Sequence, residues 1–311
     1  MSVNEPQSAQ SVLMVRPAGF AFNPQTAATN AFQRLPGMDL AVADTVLREF
    51  DTAADLIRGA GVQVIVADDT AEPVKPDAIF PNNWVSFHRD GTVVLYPMLA
   101  VNRRWERREE LIAQVADAGA FRISRTIDLS PHEARGQYLE GTGSMVLDRI
   151  AHIAYVCLSP RTHLDALGDF AQQLDYELLT FDAADAAGQP IYHTNVLMAI
   201  GSRFAIVCGA AIADQRQRNA VFASLQATGH EIIEITPRQM HEFAGNVLEL
   251  NGADGPVVAL STTAWRALDS AQRSVLEKHA RIVCVDIPCI ERSGGGGVRC
   301  MLAEVHLPKR G

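Results

Sequence analysis

A cysteine near the end of the chain is the first candidate for chemistry. Cys300 follows a run of four glycines, Gly294–Gly297. Glycine accepts positive φ angles and lets a ligand approach the backbone, so an ordered glycine run is typical of a loop at a binding site. The same letters also describe a flexible linker that precedes a small buried hydrophobic residue. The run alone leaves these two interpretations equally open.

A histidine and a glutamate supply the other groups that thiol catalysis needs. The thiolate is the reactive form of cysteine, and a free thiol with a pKa near ~8.5 is mostly protonated at neutral pH. His193 could take that proton, and the carboxylate of Glu140 could fix the imidazole tautomer and support its charged form. Each residue also has a plainer interpretation, because a histidine before a strand is usually structural and a glutamate before glycine suits a turn.

Four more polar residues lie where strands are expected to begin or end. Asp77, Asn82 and Asn83 fall within the segment KPDAIFPNNW, and Asn195 lies in the segment IYHTNV. Aspartate or Asn-Asn beside a proline is also ordinary turn chemistry, so each position alone is weak evidence. Their joint occurrence with the three candidates above is what favours a site.

Hydrophobic periodicity predicts the elements that must position these residues. A unit of two strands, a helix and a further strand recurs along the chain, with Asp90-Gly91 as a hairpin signal. The predicted strands are Ser11–Arg16, Val62–Val66, Ala78–Phe87, Thr92–Tyr96, Phe121–Ser124, Ser144–Leu147, Ile150–Val156, Glu177–Phe181, Thr194–Ile200, Phe204–Cys208, Glu231–Ile235, Val247–Asn251, Pro256–Leu260, Ile282–Val285 and Val298–Leu307. The predicted helices are Val42–Gly59, Trp105–Ala116, Arg161–Leu174, Asp214–Thr228 and Thr263–Lys278.

Five such ββαβ units predict an α/β protein with a closed repeat architecture. No domain linker stands out, so a single domain over residues 1–311 is preferred. A ring of five units has a central channel, into which loops of several units can place polar side chains. The pattern alone is also compatible with an open α/β sheet.

Composition narrows the class of protein. The 311 residues carry a net charge of −9 at a pI near 5.5, which argues against nucleic-acid and anionic-membrane partners. No apolar run approaches the ~18 residues of a membrane span, and the polar start MSVNEPQSAQ does not resemble a signal peptide. Five scattered cysteines without a CxxC pair favour a reduced, cytoplasmic protein. The sequence has no recognisable spacing of metal ligands, so no metal is expected. It also has no GK[ST] motif for binding phosphate after the glycine run, and no cofactor is expected.

The motifs together resemble the pentein family of guanidine-modifying enzymes, which includes arginine deiminases, dimethylargininases and amidinotransferases. The resemblance spans essentially the whole chain in the family's order. Its motifs are Pro76-Asp77-Ala78-Ile79-Phe80, an E-G-G-D-like Glu140-Gly141-Thr142-Gly143, His193-Thr194-Asn195, and Gly294–Cys300. The segments MVRPAGFAFNPQTAATNAFQ, FPNNW and HEFAGNVLELNG are similar to the branch of citrulline-utilisation hydrolases, or citrulline ureidases.

The resemblance implies a five-bladed ββαβ propeller and assigns roles within it. Cys300 is expected to be the nucleophile, His193 the general acid and base, and Glu140 the carboxylate that orients it. Asp77 is expected near the α-amino end of an amino-acid substrate. Gly143 departs from the pattern, because relatives often have an aspartate there, and any role built on that carboxylate is in doubt.

Three asparagines distinguish the chain from relatives that process arginine. Asn83 and Asn195 stand where those relatives hold the guanidinium with carboxylates, and Asn82 stands where dimethylargininases also have an acid. A guanidinium only donates hydrogen bonds and favours carboxylates, whereas a neutral ureido group offers a carbonyl acceptor and amide donors that suit asparagine. Citrulline is therefore the preferred substrate, hydrolysed to ornithine, carbon dioxide and ammonia through a covalent thioester on Cys300.

Alternatives stay open at this stage. The asparagines could be loop caps in an arginine deiminase, dimethylargininase or amidinotransferase that uses a guanidine, with Glu140 and Asp77 holding the guanidinium. A propeller without enzymatic activity could serve as a binding scaffold, although the set of catalytic side chains argues against it. A homo-oligomer is compatible with the sequence.

The substrate carboxylate needs a cation, and several arginines could supply it. Arg103 and Arg299 are the preferred substrate-binding candidates, with Arg16 and Arg104 as further candidates. Arg103 and Arg104 could equally start a solvated helix. Arg299 could point away from Cys300, because neighbours in a strand alternate faces.

Overall fold

A computed structural model describes residues 5–34 and 41–311. The first four residues of the polar N-terminal segment therefore lie outside the described part. The helices are α1 Pro24–Ala27, α2 Ala41–Gly59, α3 Glu109–Ala118, α4 Gly141–Ser144, α5 Leu164–Leu174, α6 Thr194–Leu197, α7 Gln215–Ala227, α8 Pro237–His241, α9 Thr262–Ala267, α10 Ser270–His279 and α11 Pro288–Gly294. The strands are β1 Ser11–Arg16, β2 Gln63–Asp68, β3 Val85–Phe87, β4 Thr92–Leu95, β5 Arg125–Asp128, β6 Met145–Asp148, β7 Ile153–Cys157, β8 Glu177–Phe181, β9 Met198–Ile200, β10 Phe204–Val207, β11 Glu231–Glu234, β12 Leu248–Gly252, β13 Gly255–Ser261, β14 Arg281–Val285 and β15 Ala303–Val305.

The strands pair as repeats of one ββαβ unit in a mixed α/β fold. In the unit β9-β10-β11, the first two strands are antiparallel and the last two are parallel, with α7 as the crossover helix. The sets β6-β7-β8 and β12-β13-β14 form three-stranded sheets with the same pairing. A six-stranded sheet, β2-β1-β15-β3-β4-β5, contains two further sets. Within the described residues, five units are thus present.

The two ends of the chain share one of these units. The C-terminal strand β15 pairs antiparallel with β1, and β1 pairs parallel with β2. On its other edge β15 meets β3 through the single pair Val305–Phe87, which joins this unit to the next. The segment that carries Cys300 is therefore anchored to the first strand of the chain.

Local sequence explains where the helices begin. The side chain of Asp214 caps α7 and that of His163 caps α5, while Asp269 and Gln272 form a capping box on α10. One face of α2 is buried, with Val46, Phe50 and other apolar side chains packed against β1 and β2 of one sheet and β14 of another. Among the described residues, no helix has the length and apolarity to cross a membrane.

Several predicted boundaries are wrong where polar residues need loop geometry. Within the predicted strand Ala78–Phe87, only Val85–Phe87 is a strand, because Pro81–Asn83 form a 3-10 turn. The predicted strand Thr194–Ile200 begins with helix α6, and Val298–Leu307 begins with a 3-10 turn, Val298–Met301. In each case the strand starts only after the residues with functional side chains.

Three further predictions need correction. Phe121 makes one isolated bridge, and the strand expected at Phe121–Ser124 lies at Arg125–Asp128 instead. The helix expected at Trp105–Ala116 starts only at Glu109, after a 3-10 turn that contains Trp105. The helix expected at Thr263–Lys278 is two helices, because Asp269 caps a new one.

Candidate active site

The glycine run ends a helix and turns the chain toward Cys300. Helix α11 finishes at Gly294, and Gly295 closes it in the left-handed conformation at φ 66°. A Cβ on Gly295 would lie 2.7 Å from the side-chain nitrogen of Asn30, so this position has no room for a side chain. Gly294, Gly295 and Gly296 line a small cavity together with Cys300. The run is therefore an ordered wall of a cavity and not a flexible linker.

The sulfur of Cys300 lies among amide groups. Asn246 Nδ2 donates to Cys300 Sγ across 3.3 Å, and Asn195 Nδ2 points at the same sulfur from 3.7 Å. The sulfur lies 3.7 Å from Asn246 Oδ1. Burial raises the pKa of the Cys300 thiol, and the hydrogen bond from Asn246 opposes that rise. The side chain of Cys300 is therefore a neutral thiol at rest, and a base would have to remove its proton before it could act as a nucleophile.

His193 is the base that the same cavity offers. Its ring is 2% exposed, and its Nε2 lies 2.8 Å from Glu140 Oε2. Because a carboxylate accepts, this contact places the proton on Nε2 and leaves Nδ1 as the basic nitrogen. Burial lowers the pKa of His193 to about 4, although the hydrogen bond that His193 donates to Glu140 acts to raise it. The imidazole is therefore neutral at pH 7 and can accept a proton.

Glu140 is held as a carboxylate by its surroundings. Its Oε2 lies 3.4 Å from Arg161 Nη1 and 3.8 Å from Arg103 Nη1, and the backbone N–H of Leu99 donates to Oε1. Burial alone would raise the pKa of this carboxyl, but Arg161, His193 and Arg103 hold it well below its usual range. Glu140 therefore stays ionised and can stabilise the imidazolium that forms when His193 takes a proton.

One oxygen of Asp77 remains available in the cavity. Oδ2 of Asp77 accepts hydrogen bonds from Asn23 Nδ2 at 2.7 Å and from Thr26 Oγ1 at 3.2 Å. Oδ1 is buried and makes no hydrogen bond with any described residue. A buried carboxylate oxygen without a partner is costly, so this atom is suited to a cationic or N–H-bearing group of a ligand.

Arg103 determines which way the amide of Asn83 faces. Arg103 Nη1 donates to Asn83 Oδ1 across 3.0 Å, while Nε and Nη2 each bind Glu106 at 2.9 Å. Arginine can only donate, so the amide oxygen must face it and Nδ2 must face away. Nδ2 of Asn83 is buried and has no hydrogen-bond partner in the described part of the chain. Asn83 therefore presents a donor to the cavity that it lines.

Gly143 leaves the space that this amide occupies. A Cβ on Gly143 would overlap Asn83 Nδ2 and would lie 2.8 Å from the ring of His193. An aspartate side chain at position 143, as in the E-G-G-D pattern, has no room beside these two residues. The departure from the family pattern is thus coupled to Asn83.

The structure brings together most of the residues predicted for the site. The cavity is lined by Cys300, His193, Asp77, Asn83 and Arg103. Glu140 and Asn195 contact lining residues directly. The predicted convergence of several units on one site is therefore present in the geometry.

Besides Glu140 and Asn195, two further predicted site residues do not line this cavity. Arg299 donates to the carbonyl oxygen of Leu302 at 2.8 Å and to Glu304 at 2.9 Å. Its guanidinium is thus engaged outside the cavity lining, and substrate binding by Arg299 stays a prediction. Asn82 is fully buried, and neither atom of its amide has a partner among the described residues.

The two further candidate arginines are also occupied elsewhere. Arg16 forms an ion pair with Asp51 at 2.8 Å, and both side chains are substantially exposed. Arg104 lies 3.3 Å from Glu133 and donates to a backbone carbonyl. Neither lines the cavity.

Sequence reasoning missed two buried residues of the site. Arg161 lines the cavity, stacks over the ring of Tyr192 and donates to Thr26 O at 2.9 Å, but it was assigned to the start of a helix. Asn246 contacts Cys300 Sγ and lies in the quoted segment HEFAGNVLELNG, to which no role was given. The motif that contains Asn246 could have indicated a role for this residue. For Arg161 the sequence offers only its place in the loop before α5.

The arrangement can perform acyl-transfer chemistry on a small polar ligand. A thiol, a neutral imidazole and an ionised carboxylate follow one another as nucleophile, base and orienting group. Two arginines and one carboxylate oxygen offer contacts to a zwitterion. Within residues 5–34 and 41–311, no group of three or more His, Cys, Asp or Glu side chains could hold a metal ion.

Comparison with known proteins extends these observations. The family model for eukaryotic N,N-dimethylarginine dimethylhydrolase matches residues 16–307. Among proteins with curated functions, none matches the sequence significantly.

Solved structures share the fold at low identity. The N-terminal domain of ArgZ with bound substrate, an arginine dihydrolase from the ornithine–ammonia cycle in cyanobacteria, superposes with a TM-score of 0.72 at 16% identity, over 96% of this chain and 99% of that one. An adduct of dimethylarginine dimethylaminohydrolase with S-methyl-L-thiocitrulline gives 0.65 at 14% identity, over 95% and 99%. Apo ArgZ gives 0.71 at 15% identity over 96% of this chain, which spans only 41% of that protein.

Proposed function

Because the chain belongs to the N,N-dimethylarginine dimethylhydrolase family of the pentein superfamily, we propose that it is a cysteine-dependent C–N hydrolase. Its substrate is citrulline, and its products are ornithine, carbon dioxide and ammonia, as in the citrulline ureidase branch. The whole activity resides in the cavity around Cys300.

The orientation of Asn83 carries the choice of citrulline. Its oxygen is bound by Arg103, so the amide offers the cavity a donor. A ureido oxygen accepts such a hydrogen bond, whereas a guanidinium has only donors and would face Asn83 N–H with its own. Asn195 Oδ1 is a buried acceptor without a partner among the described residues, and it suits the ureido N–H groups.

The rest of an α-amino acid fits the charges around the cavity. Oδ1 of Asp77 is the free acceptor for the α-ammonium group. Arg161 makes no hydrogen bond to a carboxylate shorter than 3.4 Å, so it is the better anchor for the α-carboxylate. Arg103 is already bound bidentately by Glu106, and its task is to orient Asn83.

The first half of the reaction transfers a carbamoyl group to the enzyme. His193 Nδ1 takes the thiol proton of Cys300, and the sulfur attacks the ureido carbon of citrulline. His193 then gives this proton to the departing δ-nitrogen, the C–N bond breaks, and ornithine leaves. Glu140 stabilises the imidazolium between these two steps.

The second half regenerates the thiol. His193 Nδ1 takes a proton from water, whose oxygen attacks the carbamoyl-thioester carbon. The C–S bond breaks, the proton returns to the sulfur of Cys300, and carbamate is released. Carbamate decays to ammonia and carbon dioxide.

Arginine is the second candidate substrate. Its support is the similarity to ArgZ, which is an arginine dihydrolase, with the two chains related at 16% identity over the compared domain. The same thiol could attack a guanidinium carbon, since both head groups are planar. Arginine ranks second because Asn83 offers the cavity an N–H donor and not a carboxylate oxygen.

A product assay separates the two candidates. The purified protein is incubated with citrulline or with arginine, and ornithine, citrulline and ammonia are quantified, with the Cys300→Ala variant as control. The proposal expects ornithine and ammonia from citrulline, and none from the variant. Turnover of arginine with no turnover of citrulline would reject the choice of substrate.

The proposal also includes the ring architecture, the single domain and the cellular location that the sequence predicts. The five ββαβ units close into a five-bladed ring that forms one domain over residues 1–311. Five free cysteines suit a reducing compartment, and the cytoplasm is the proposed location.

A further inference from the structure

Asn246 has a contact with the nucleophile that the mechanism above does not use. Its side chain is 1% exposed, and its Nδ2 lies 3.3 Å from Cys300 Sγ. The same nitrogen donates to the backbone oxygen of Asn195 at 2.9 Å. Both protons of the Asn246 amide nitrogen therefore have fixed destinations.

The bond to the backbone determines the orientation of the Asn246 amide. A carbonyl oxygen only accepts, so Nδ2 and not Oδ1 must face Asn195 O. The donor that faces the sulfur is therefore set by the hydrogen bond to Asn195 O. A fixed donor near a sulfur favours the thiolate over the thiol, because hydrogen bonds to charged acceptors are the stronger ones.

Gly297 makes room for this arrangement. A Cβ on Gly297 would lie 2.7 Å from Asn246 Oδ1. The backbone oxygen of Gly297 accepts from Cys300 N at 3.1 Å, so the same residue holds the cysteine turn in place. The fourth glycine of the run therefore positions both the sulfur and its donor.

We propose that Asn246 is a catalytic residue that stabilises the Cys300 thiolate during attack and again when it leaves the thioester. This role rests on the proposed function for its use in turnover, but the contact with the thiol can be tested without any substrate. Asn246 does not line the cavity, so its effect falls on the reacting sulfur and not on substrate binding. It compensates in part for the burial that disfavours the thiolate.

The test is the rate at which iodoacetamide alkylates Cys300 in the folded, substrate-free protein. The rate at pH 8, followed by peptide-resolved mass spectrometry, reports the thiolate fraction. Loss of a hydrogen bond to a charged acceptor in Asn246→Ala is expected to lower it about tenfold to hundredfold. Asn246→Ser keeps a hydroxyl donor, so its alkylation rate is expected to lie between those of wild type and Asn246→Ala. Gly297→Ala is expected to lower the rate because the new Cβ displaces the Asn246 amide.

Controls separate this role from a structural one. Gln239→Ala removes a buried amide of α8 that donates to Ala267 O and not to Cys300. The alkylation rate of Cys300 in this variant should match that of wild type. For citrulline, Asn246→Ala should lower kcat with little change in KM. Folded Asn246→Ala and Asn246→Ser proteins that are alkylated as fast as wild type would overturn the proposal. Altered alkylation without any turnover of citrulline in wild type would instead reject the proposed function alone.

Discussion

Two buried ionic clusters, one at the cavity and one that includes Arg299 and Glu304, differ in how completely their polar atoms are paired. The site cluster comprises Asp77, Arg103, Glu106, Glu140, Arg161 and His193. The distal cluster comprises Glu5, Arg149, Arg299, Glu304 and His306. Both are almost fully removed from solvent, so burial alone does not distinguish them.

The charged side chains of the distal cluster pair with one another. Arg149 Nη1 lies 2.9 Å from Glu5, its Nε lies 3.6 Å from Glu304, and Arg299 binds Glu304 at 2.9 Å. His306 Nε2 completes the set 3.1 Å from Glu304. Among the described residues, no fully buried polar atom of these five side chains lacks a hydrogen-bond partner.

The site cluster and its neighbours leave polar atoms unpaired. Asp77 Oδ1, Asn83 Nδ2 and Asn195 Oδ1 are buried without partners in the described part of the chain. Unpaired buried polar atoms cost free energy, which a fold retains where a ligand supplies the missing bonds. The comparison teaches that these two clusters differ in the pairing of their polar atoms and not in the burial of their charges.

The largest expected effect is at the nucleophile. Cys300→Ala is expected to lower ornithine release from citrulline on the order of 10⁴-fold or more, because the covalent route is lost. The free energy of unfolding should change by only about 1 kcal/mol, since a small side chain replaces another. Turnover assays and urea denaturation measure the two quantities. A variant with near-normal turnover would remove Cys300 from the mechanism.

The distal cluster should show the reverse behaviour. Arg149→Met leaves Glu5 and Glu304 buried without their main cation, so we expect a loss of about 3–5 kcal/mol of stability. The folded enzyme should keep its kcat, because Arg149 does not line the cavity. Urea denaturation and citrulline turnover at low temperature check this. The control Arg125→Met removes an exposed ion pair, 3.5 Å from Asp90, and should cost about 1 kcal/mol or less. An equal loss in both variants would show that the distal cluster contributes no more to stability than an exposed ion pair.

A smaller change should shift substrate preference. Asn83→Asp replaces the amide donor by a carboxylate oxygen, which accepts from a guanidinium. We expect the ratio of kcat/KM for citrulline over arginine to fall about tenfold to hundredfold, by the loss of a hydrogen bond and the gain of a charge-assisted one. Asn82→Asp, one residue earlier but outside the cavity lining, is the matched control. A ratio that moves equally in both variants would show that Asn83 is not the determinant.

The smallest expected effect is a shift to lower pH of the acid limb in the pH profile of kcat/KM. Burial lowers the pKa of His193 to about 4, so the base stays neutral above that pH and is protonated below it. Because protonated His193 cannot accept the thiol proton, kcat/KM should fall only as the pH drops through about 4. A free histidine would give a limb near ~6.5. Circular dichroism must show the protein folded across the range; a limb near ~6.5 would show that the pKa of His193 is not lowered.

The sequence predicts the repeat and much of the site, for identifiable reasons. Strands such as β1 and β8 have the predicted bounds, because buried apolar runs between turn residues leave little choice. Cys300, His193 and Asp77 are recognisable from their motifs and do line one cavity.

Other features depend on tertiary contacts that a single sequence does not carry. The 3-10 turns at Pro81–Asn83 and Val298–Met301 replace predicted strands, because these segments turn polar side chains inward before pairing begins. Arg161 joins the site through contacts to Thr26 and Thr29, which lie more than a hundred residues earlier in the chain. Arg299 lies beside Cys300 in sequence yet faces the distal cluster.

The central claim is that the cavity is suited to a neutral ureido group. Measuring ligand binding to a protein that cannot turn the ligand over tests this claim directly. The Cys300→Ala protein is titrated with citrulline and with arginine by isothermal calorimetry at pH 7.5. The account predicts that citrulline binds at least about tenfold more tightly, since arginine would leave the Asn83 donor unpaired. Arginine binding as tightly as citrulline, or more tightly, would contradict it.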